Sequence, residues 1–248
     1  MARPIRATMG SMTRSRPAVS LLANLGPLEQ LRAGRMPRRL VQLLVGLWLY
    51  GTAMALFVRS GLGLDPWDVF HAGVQRLVGW SFGTVVIVVG FAVLLLWIPL
   101  RQAPGLGTIA NAVVIGLATD ATLAWVPPAT DFVMAWALLL VGMVVNGIAG
   151  ALYIGAQLGP GPRDGLMTGL ARRTGWSLRL VRTGLELSVL GIGWVLGGVV
   201  GIGTVVYAIA IGPLVQFFLP YVVVTLDVAD RQPVVGQDDP ESVEAGCR

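Results

Sequence analysis

Long apolar runs separated by short, polar, glycine-rich joints make up the chain between residues 40 and 226. A helix crossing about 30 Å of hydrocarbon needs roughly 20 mostly apolar residues. Six runs meet that length: Leu40–Val58, Phe82–Leu100, Gly107–Val126, Val133–Ile154, Leu178–Val199 and Gly203–Val224. The third and sixth are the least uniform, because each contains polar residues. Roughly ten-residue alternating segments, the mark of a membrane β-barrel, do not occur. The pattern predicts an all-α membrane protein with six transmembrane helices.

The flanks read differently. Residues 1–39 are rich in Arg, Ser, Pro and Gly and lack the apolar stretch of a signal peptide, so they are read as a disordered basic tail. Met36 stands just before Arg38-Arg39 and offers an alternative start; the arginine pair is read as a basic anchor on the cytoplasmic side. Residues 227–248, with Asp238-Asp239-Pro240-Glu241, read as a disordered acidic tail.

Self-similarity is the strongest signal in the chain. A shift of 96 residues lays 46–126 on 142–222 without a gap, with about three positions in ten identical. The matches include rare residue types. Leu62-Gly63, Pro66, Asp68, Gly73, Arg76 and Gly79-Trp80-Ser81 fall on Leu158-Gly159, Pro162, Asp164, Gly169, Arg172 and Gly175-Trp176-Ser177. Shared apolar bias does not place Gly-Trp-Ser on Gly-Trp-Ser. The halves are 40–126 and 133–224, each with three spans. An odd number of crossings inverts the second half relative to the first, the plan of many secondary transporters. Asp68–Val78 covers only about 16 Å as a helix. Segments 64–79 and 160–175 are therefore read as short interfacial or re-entrant helices; if they crossed, the halves would be parallel.

Composition and charge narrow the function. Hydrophobic residues make up 55% of the chain and charged ones 12%, about half the charge of a soluble domain. All 18 basic residues are Arg against 13 acids, and eight of the Arg lie in the first 39 residues. The basicity thus belongs to the tail and argues against a nucleic-acid partner. With both termini in the cytoplasm, 16 Arg fall inside and only Arg59 and Arg76 outside. The inner cluster Arg163, Arg172, Arg173, Arg179 and Arg182 suits anionic lipid. The lone Cys247 excludes an intrachain disulfide and a Cys-based metal site.

Around Gly61-Leu-Gly-Leu-Asp-Pro-Trp-Asp-Val-Phe-His71 and Gly159-Pro-Gly-Pro-Arg-Asp-Gly-Leu-Met-Thr-Gly169, from about Met36 to Tyr221, the chain resembles the bacterial YczE-like integral membrane proteins, related to the wider YitT group. The resemblance implies a multi-span protein of the bacterial cytoplasmic membrane. It supplies no reaction, ligand or catalytic residue.

Six ionisable residues stand out. Asp68 and Asp164 occupy equivalent places after Pro66 and Pro162, where they either bind a cation, proton or polar solute or merely complement a helix N-terminus. Arg163, in Gly159-Pro-Gly-Pro-Arg, brings a guanidinium and a close backbone to a basic loop, suited to an anion or to lipid. Glu186 lies eight residues into the fifth span, where a charge is costly and points to function. Arg182 is one turn earlier and neutralises it. Asp120, in the third span, has Gln216 as its counterpart and no adjacent cation. His71, the only His, lacks the partners of a metal site, so neither metal nor cofactor is expected. Asn111, Asn146 and Gln216 suit interhelical hydrogen bonds, and Gly193, Gly197 and Gly201 suit helix packing. No nucleophile elbow, His-Glu-x-x-His or Walker motif occurs, so an enzyme is not expected.

These features predict a secondary-transporter-like protein for a small polar or anionic solute, with Asp68, Asp120, Arg163, Asp164, Arg182 and Glu186 along its path. The alternative is a non-transporting scaffold, or an accessory or substrate-capture subunit of another system, with a second copy or a membrane partner beside it.

Overall fold

The computed structural model describes residues 26–226, and its regular structure there is entirely helical. Of the expected disordered tails, 1–39 and 227–248, residues 1–25 and 227–248 lie outside the described residues. The described elements are α1 (Pro27–Arg32), α2 (Met36–Ser60), α3 (Pro66–Val78), α4 (Phe82–Leu100), α5 (Leu106–Trp125), α6 (Phe132–Gly155), α7 (Pro162–Thr174), α8 (Leu178–Val195) and α9 (Ile202–Val222). The helix starts repeat at an interval of 96: α2 with α6, α3 with α7, α4 with α8, α5 with α9.

Five helices, α2, α4, α5, α6 and α9, are long and apolar enough to cross a membrane. The sixth expected span is shorter than the sequence suggested. α8 ends at Val195 instead of Val199, and it carries Arg179, Arg182 and Glu186. A second difference lies at the N-terminal side. Residues 27–32 form α1, and the next helix begins at Met36, within the stretch read as disordered tail. Arg39, read as a basic anchor, is fully buried. Its Nε donates to the Ala156 carbonyl at 2.9 Å, Nη1 to Gln30 at 2.6 Å and Nη2 to Gln157 at 2.7 Å. Carbonyls at a helix end lack intrahelical partners and carry partial negative charge, so a buried cation at the end of α6 satisfies both needs.

Helices α2 and α6 pack together at the centre, with α5 against α2 and α9 against α6. The central contact is reciprocal. A side chain at Gly46 of α2 would strike Leu152 and the Tyr153 backbone, and one at Gly142 of α6 would strike Leu56 and Phe57. Each of these residues is the 96-residue counterpart of one in the other contact. The short helices are exchanged between halves: α3 packs on α8, and α7 packs on α4. Gly193 of α8 rests on the backbone of Val69–Phe70, and the ring of Trp97 of α4 fills the space over Gly165.

The halves differ in one respect. α4 lies closely along α5 through Gly83 and Gly116, where neither glycine has room for a Cβ. Their counterparts are Arg179 and Gly212. Gly212 has open space beside it, and α8 and α9 make at most a marginal contact among the described residues.

Candidate functional site

The loops before α3 and α7 are locked in place by glycine. Gly63 has φ +125° and Gly159 φ +113°, conformations that favour glycine. Each loop docks on the third long helix of the other half. Gly203 N–H donates to the Leu62 carbonyl at 2.8 Å, and Gly107 N–H donates to Leu158 at the same distance. Thr108 Oγ1 donates to the Pro160 carbonyl at 2.7 Å. Pro66 and Pro162 then start α3 and α7 at a position that has no need of a backbone N–H. The helix beginnings are thereby fixed close together in the middle of the fold.

Asp65 caps α3, accepting the Asp68 N–H at 2.8 Å. The Arg163 guanidinium of α7 lies over the Trp67 ring at 5.2 Å and between two carboxylates. Its Nη1 is 3.7 Å from Asp65 Oδ2, and its Nη2 is 3.4 Å from Asp68 Oδ1. His71 Nδ1 is 3.1 Å from the same Asp68 oxygen, and its ring meets Phe82 edge-on. Asp65, Asp68 and His71 are all buried, whereas Arg163 is about one quarter exposed. Two carboxylates therefore share one guanidinium, at distances longer than the 2.7–2.9 Å typical of a close charge-assisted pair.

Two cavities flank this cluster. The smaller, about 80 Å³, lies toward α4 and α5 and is lined by Tyr50, Val86, Gly90, Asn111 and Ile115. The larger, about 310 Å³, lies toward α8 and α9 and is lined by Asn146, Arg182, Glu186, Tyr207 and Ile211. These two sets are equivalent under the 96-residue shift, residue for residue. Tyr50 corresponds to Asn146 and Asn111 to Tyr207, so within these equivalent positions Tyr and Asn are exchanged between the halves; Tyr50 and Tyr153 line both cavities. In the larger cavity Tyr207 Oη donates to Asn146 Oδ1 at 3.3 Å. Trp67 and Arg163 border both cavities, and Asp65 borders the larger one.

Five of the six residues singled out in the sequence come together here. Asp68 and Arg163 form the cluster; Asp164, Arg182 and Glu186 line the larger cavity. Asp164 is not a mirror of Asp68, because it accepts the Tyr153 hydroxyl at 2.5 Å instead of facing a cation. Arg182 Nε and Glu186 Oε1 pair at 2.9 Å, with the Arg side chain 61% exposed and the Glu 32%. The sixth, Asp120, lies elsewhere: it accepts Gly83 N–H at 2.7 Å and Ser81 Oγ at 2.5 Å, binding the start of α4. Its partners are a helix N-terminus and a hydroxyl, not Arg59 or Arg76. Arg59 instead donates to the Leu123 carbonyl. Among the described residues no group of three His, Cys, Asp or Glu is arranged to hold a metal ion.

Sequence reasoning passed over Asp65, Tyr50, Tyr153 and Tyr207. Asp65-Pro66 is a cap followed by a first-turn proline, and that spacing marks the start of α3. The exchange of Tyr and Asn between halves was also readable, but only once the repeat is treated as a contact map.

A profile described as a family of unknown function, DUF6198, matches residues 37–220. An uncharacterized protein of Haemophilus influenzae is 42% identical over 177 residues, covering 71% of this chain and 81% of its own. The uncharacterized membrane protein YczE of Bacillus subtilis is 33% identical over 190 residues, covering 74% and 86%. YyaS, an uncharacterized protein of the same organism, is 25% identical over 185 residues, covering 72% and 90%. No solved structure matches the chain.

Proposed function

The chain belongs to DUF6198, a family of unknown function, and to the YczE-like membrane proteins, and we propose that it is a secondary-transporter-like carrier of a small polar or anionic solute. The solute sits beside Arg163, in the cavity toward α8 and α9. The observation that carries this reading is the unequal pair of equivalent cavities, about 80 and 310 Å³, on either side of one charged cluster. A carrier built from two inverted repeats binds at the repeat interface and alternates between two states related by the repeat symmetry. In any one state, the same residue positions are tight in one half and spread in the other. Closed α4–α5 and separated α8–α9 fit one such state. On this reading α8 is the sixth crossing, with Arg182 and Glu186 on its cavity side, and α3 and α7 are re-entrant. Both termini face the cytoplasm.

Arg163 offers a planar fork of donors, and the first turns of α3 and α7 favour negative charge, so the solute presents an oxygen acceptor group. The test is a thermal-shift screen of small carboxylates, amino acids and polar metabolites on the purified full-length protein. A stabilising solute whose effect is lost in R163K, and whose flux in proteoliposomes is lost in E186Q, supports the carrier. A ligand at 100 times its Kd adds about 2.7 kcal/mol of stability.

A second reading rests on a different observation. Among the described residues α8 buries only Val181 and Gly193, and α9 only Gly203, Thr204 and Leu219. Those faces suit lipid, a second copy or a membrane partner. A scaffold or accessory subunit is then expected to co-purify in mild detergent with a stable partner and to show no stabilising solute.

A further inference from the structure

Asp65 and Asp68 are almost wholly buried, with 3% and 0% exposure, and they meet one cation, not two. Asp65 uses its Oδ1 to cap α3. Asp68 Oδ1 is already shared between Arg163 and His71. Its other oxygen, Oδ2, is buried in the cluster without a hydrogen-bond partner. An ionised carboxylate with one oxygen unsatisfied in a low-dielectric site is costly, and burial favours its neutral form.

The surrounding charges do not correct the imbalance. On α7, Asp164 adds negative charge and is engaged by Tyr153 of α6. On α8, Arg182 is matched by Glu186. α2 and α9 bring Tyr50 and Tyr207 to the same cavity, and α4 contributes no ionisable side chain. The cluster of Asp65, Asp68 and Arg163 thus carries one unbalanced negative charge. The smallest species that neutralises it is a proton.

We propose that Asp65 and Asp68 together hold one exchangeable proton, and that this proton is the coupling ion of the carrier. The coupling role rests on the transport reading above; the proton site does not. The proton enters from water through the larger cavity, which Asp65 and Arg163 border, and bonds to a carboxylate oxygen with no other bond made or broken. With the proton bound, Arg163 faces one carboxylate instead of two, and its guanidinium is available to the acceptor group of a solute. When the proton leaves, the second carboxylate draws Arg163 back and the solute loses its partner. Solute and proton therefore travel in the same direction.

The test is infrared difference spectroscopy on the full-length protein in lipid bilayers, titrated from mildly alkaline to mildly acidic pH with no solute present. The expected result is a protonated-carboxyl carbonyl band that grows as pH falls, is lost in D68N or D65N, and persists in E186Q. Asn at position 65 keeps the oxygen that caps α3, so D65N carries the test if D68N does not fold. No titrating carboxyl band, or a band undiminished in both D65N and D68N, overturns the proposal. An imidazole signal that titrates and disappears only in H71Q assigns the proton to His71 and overturns it equally. Because the readout needs no solute, a band without transport removes the carrier reading and leaves the proton site. Flux without a band does the reverse.

Discussion

Trp67 and Arg163, positions related by the 96-residue repeat, stack on each other with the guanidinium 5.2 Å from the ring. The contact joins equivalent positions of the two halves, at the starts of α3 and α7. The same exchange governs the surroundings: Leu62 with Gly203, Leu158 with Gly107, α3 with α8, α7 with α4. The correspondence of the two halves is broken by chemistry at this contact, because one half supplies an aromatic face where the other supplies a cation. Removing that cation leaves Asp65 and Asp68 buried with the Asp68 N–H and the His71 ring but no guanidinium to balance them. R163M is expected to lower stability by about 3 kcal/mol. R163M combined with D65N and D68N is expected to recover most of it. Thermal unfolding of purified protein in one detergent checks both, and equal loss in the single and triple variants would show that Arg163 acts through packing alone.

The glycines of the two halves give a second prediction. A methyl at Gly116 collides with Ile87 and the Gly83 carbonyl, whereas its counterpart Gly212 has open space. G116A is expected to cost roughly 1–3 kcal/mol as overpacking. G212A is expected to be neutral, or to gain up to about 1 kcal/mol from helix propensity. Paired melting curves decide it. Similar losses at both sites would mean that α8 and α9 pack as closely as α4 and α5 in the membrane.

Arg39 supplies a third. Its three hydrogen bonds to the carbonyls of Ala156, Gln30 and Gln157 hold the end of α6 against α1 and α2. Hydrogen bonds from a charged group are each worth about 1.5–3 kcal/mol. R39Q keeps a donor but not the fork and is expected to cost on the order of 3 kcal/mol, while the neighbouring R38Q, on an exposed residue, is expected to cost little. The difference between the two melting temperatures is the measurement.

Much of the architecture was legible because it is written in lengths and spacings. The apolar runs mark five of the long helices as membrane-spanning candidates within a few residues, and the repeat foretold that α3 and α7 begin 96 residues apart. The site was legible only in part. Asp68, Arg163, Asp164, Arg182 and Glu186 announce themselves because charge is scarce in so apolar a chain. Asp65 was hidden because it looks like a turn residue before proline, and its counterpart Gly161 carries no side chain to raise suspicion. The pairing of Arg163 with Asp65 and Asp68 crosses from one half to the other, across about 95 residues. Local spacing cannot encode such a contact. Asp120 misled for a related reason: a lone acid in an apolar run looks unpaired until the N-terminus of α4 is seen to meet it.

Asp120 accordingly separates a structural role from a transport role. Its carboxylate holds Gly83 N–H and Ser81 Oγ, the interactions of a cap supplied from a neighbouring helix. D120A is expected to destabilise the protein by about 1–2 kcal/mol, the usual cost of losing such an acceptor. D120N, which retains one acceptor oxygen, is expected to cost less. In the folded fraction neither change is expected to shift the carboxyl titration of the Asp65–Asp68 pair. A shifted titration in D120N would connect the α4–α5 contact electrostatically to the site and return Asp120 to the path.

Sidedness tests the largest element of the functional reading. Trp80 and Trp176 are equivalent positions, 51% and 62% exposed, each following the αL glycine that ends a short helix. With Cys247 replaced by Ala, W80C or W176C becomes the only thiol in the chain. Under the proposed three crossings per half, the two positions lie on opposite faces of the membrane. Intact cells treated with an impermeant maleimide are therefore expected to label W80C, with W176C reacting only after lysis, as the distribution of Arg requires for a cytoplasmic N-terminus. At 13 residues, α3 and α7 are each about 20 Å long, short of the hydrocarbon thickness. Labelling of both positions from the same side would mean that they cross nonetheless. The halves would then be parallel, and the unequal cavities would no longer describe two faces of one carrier.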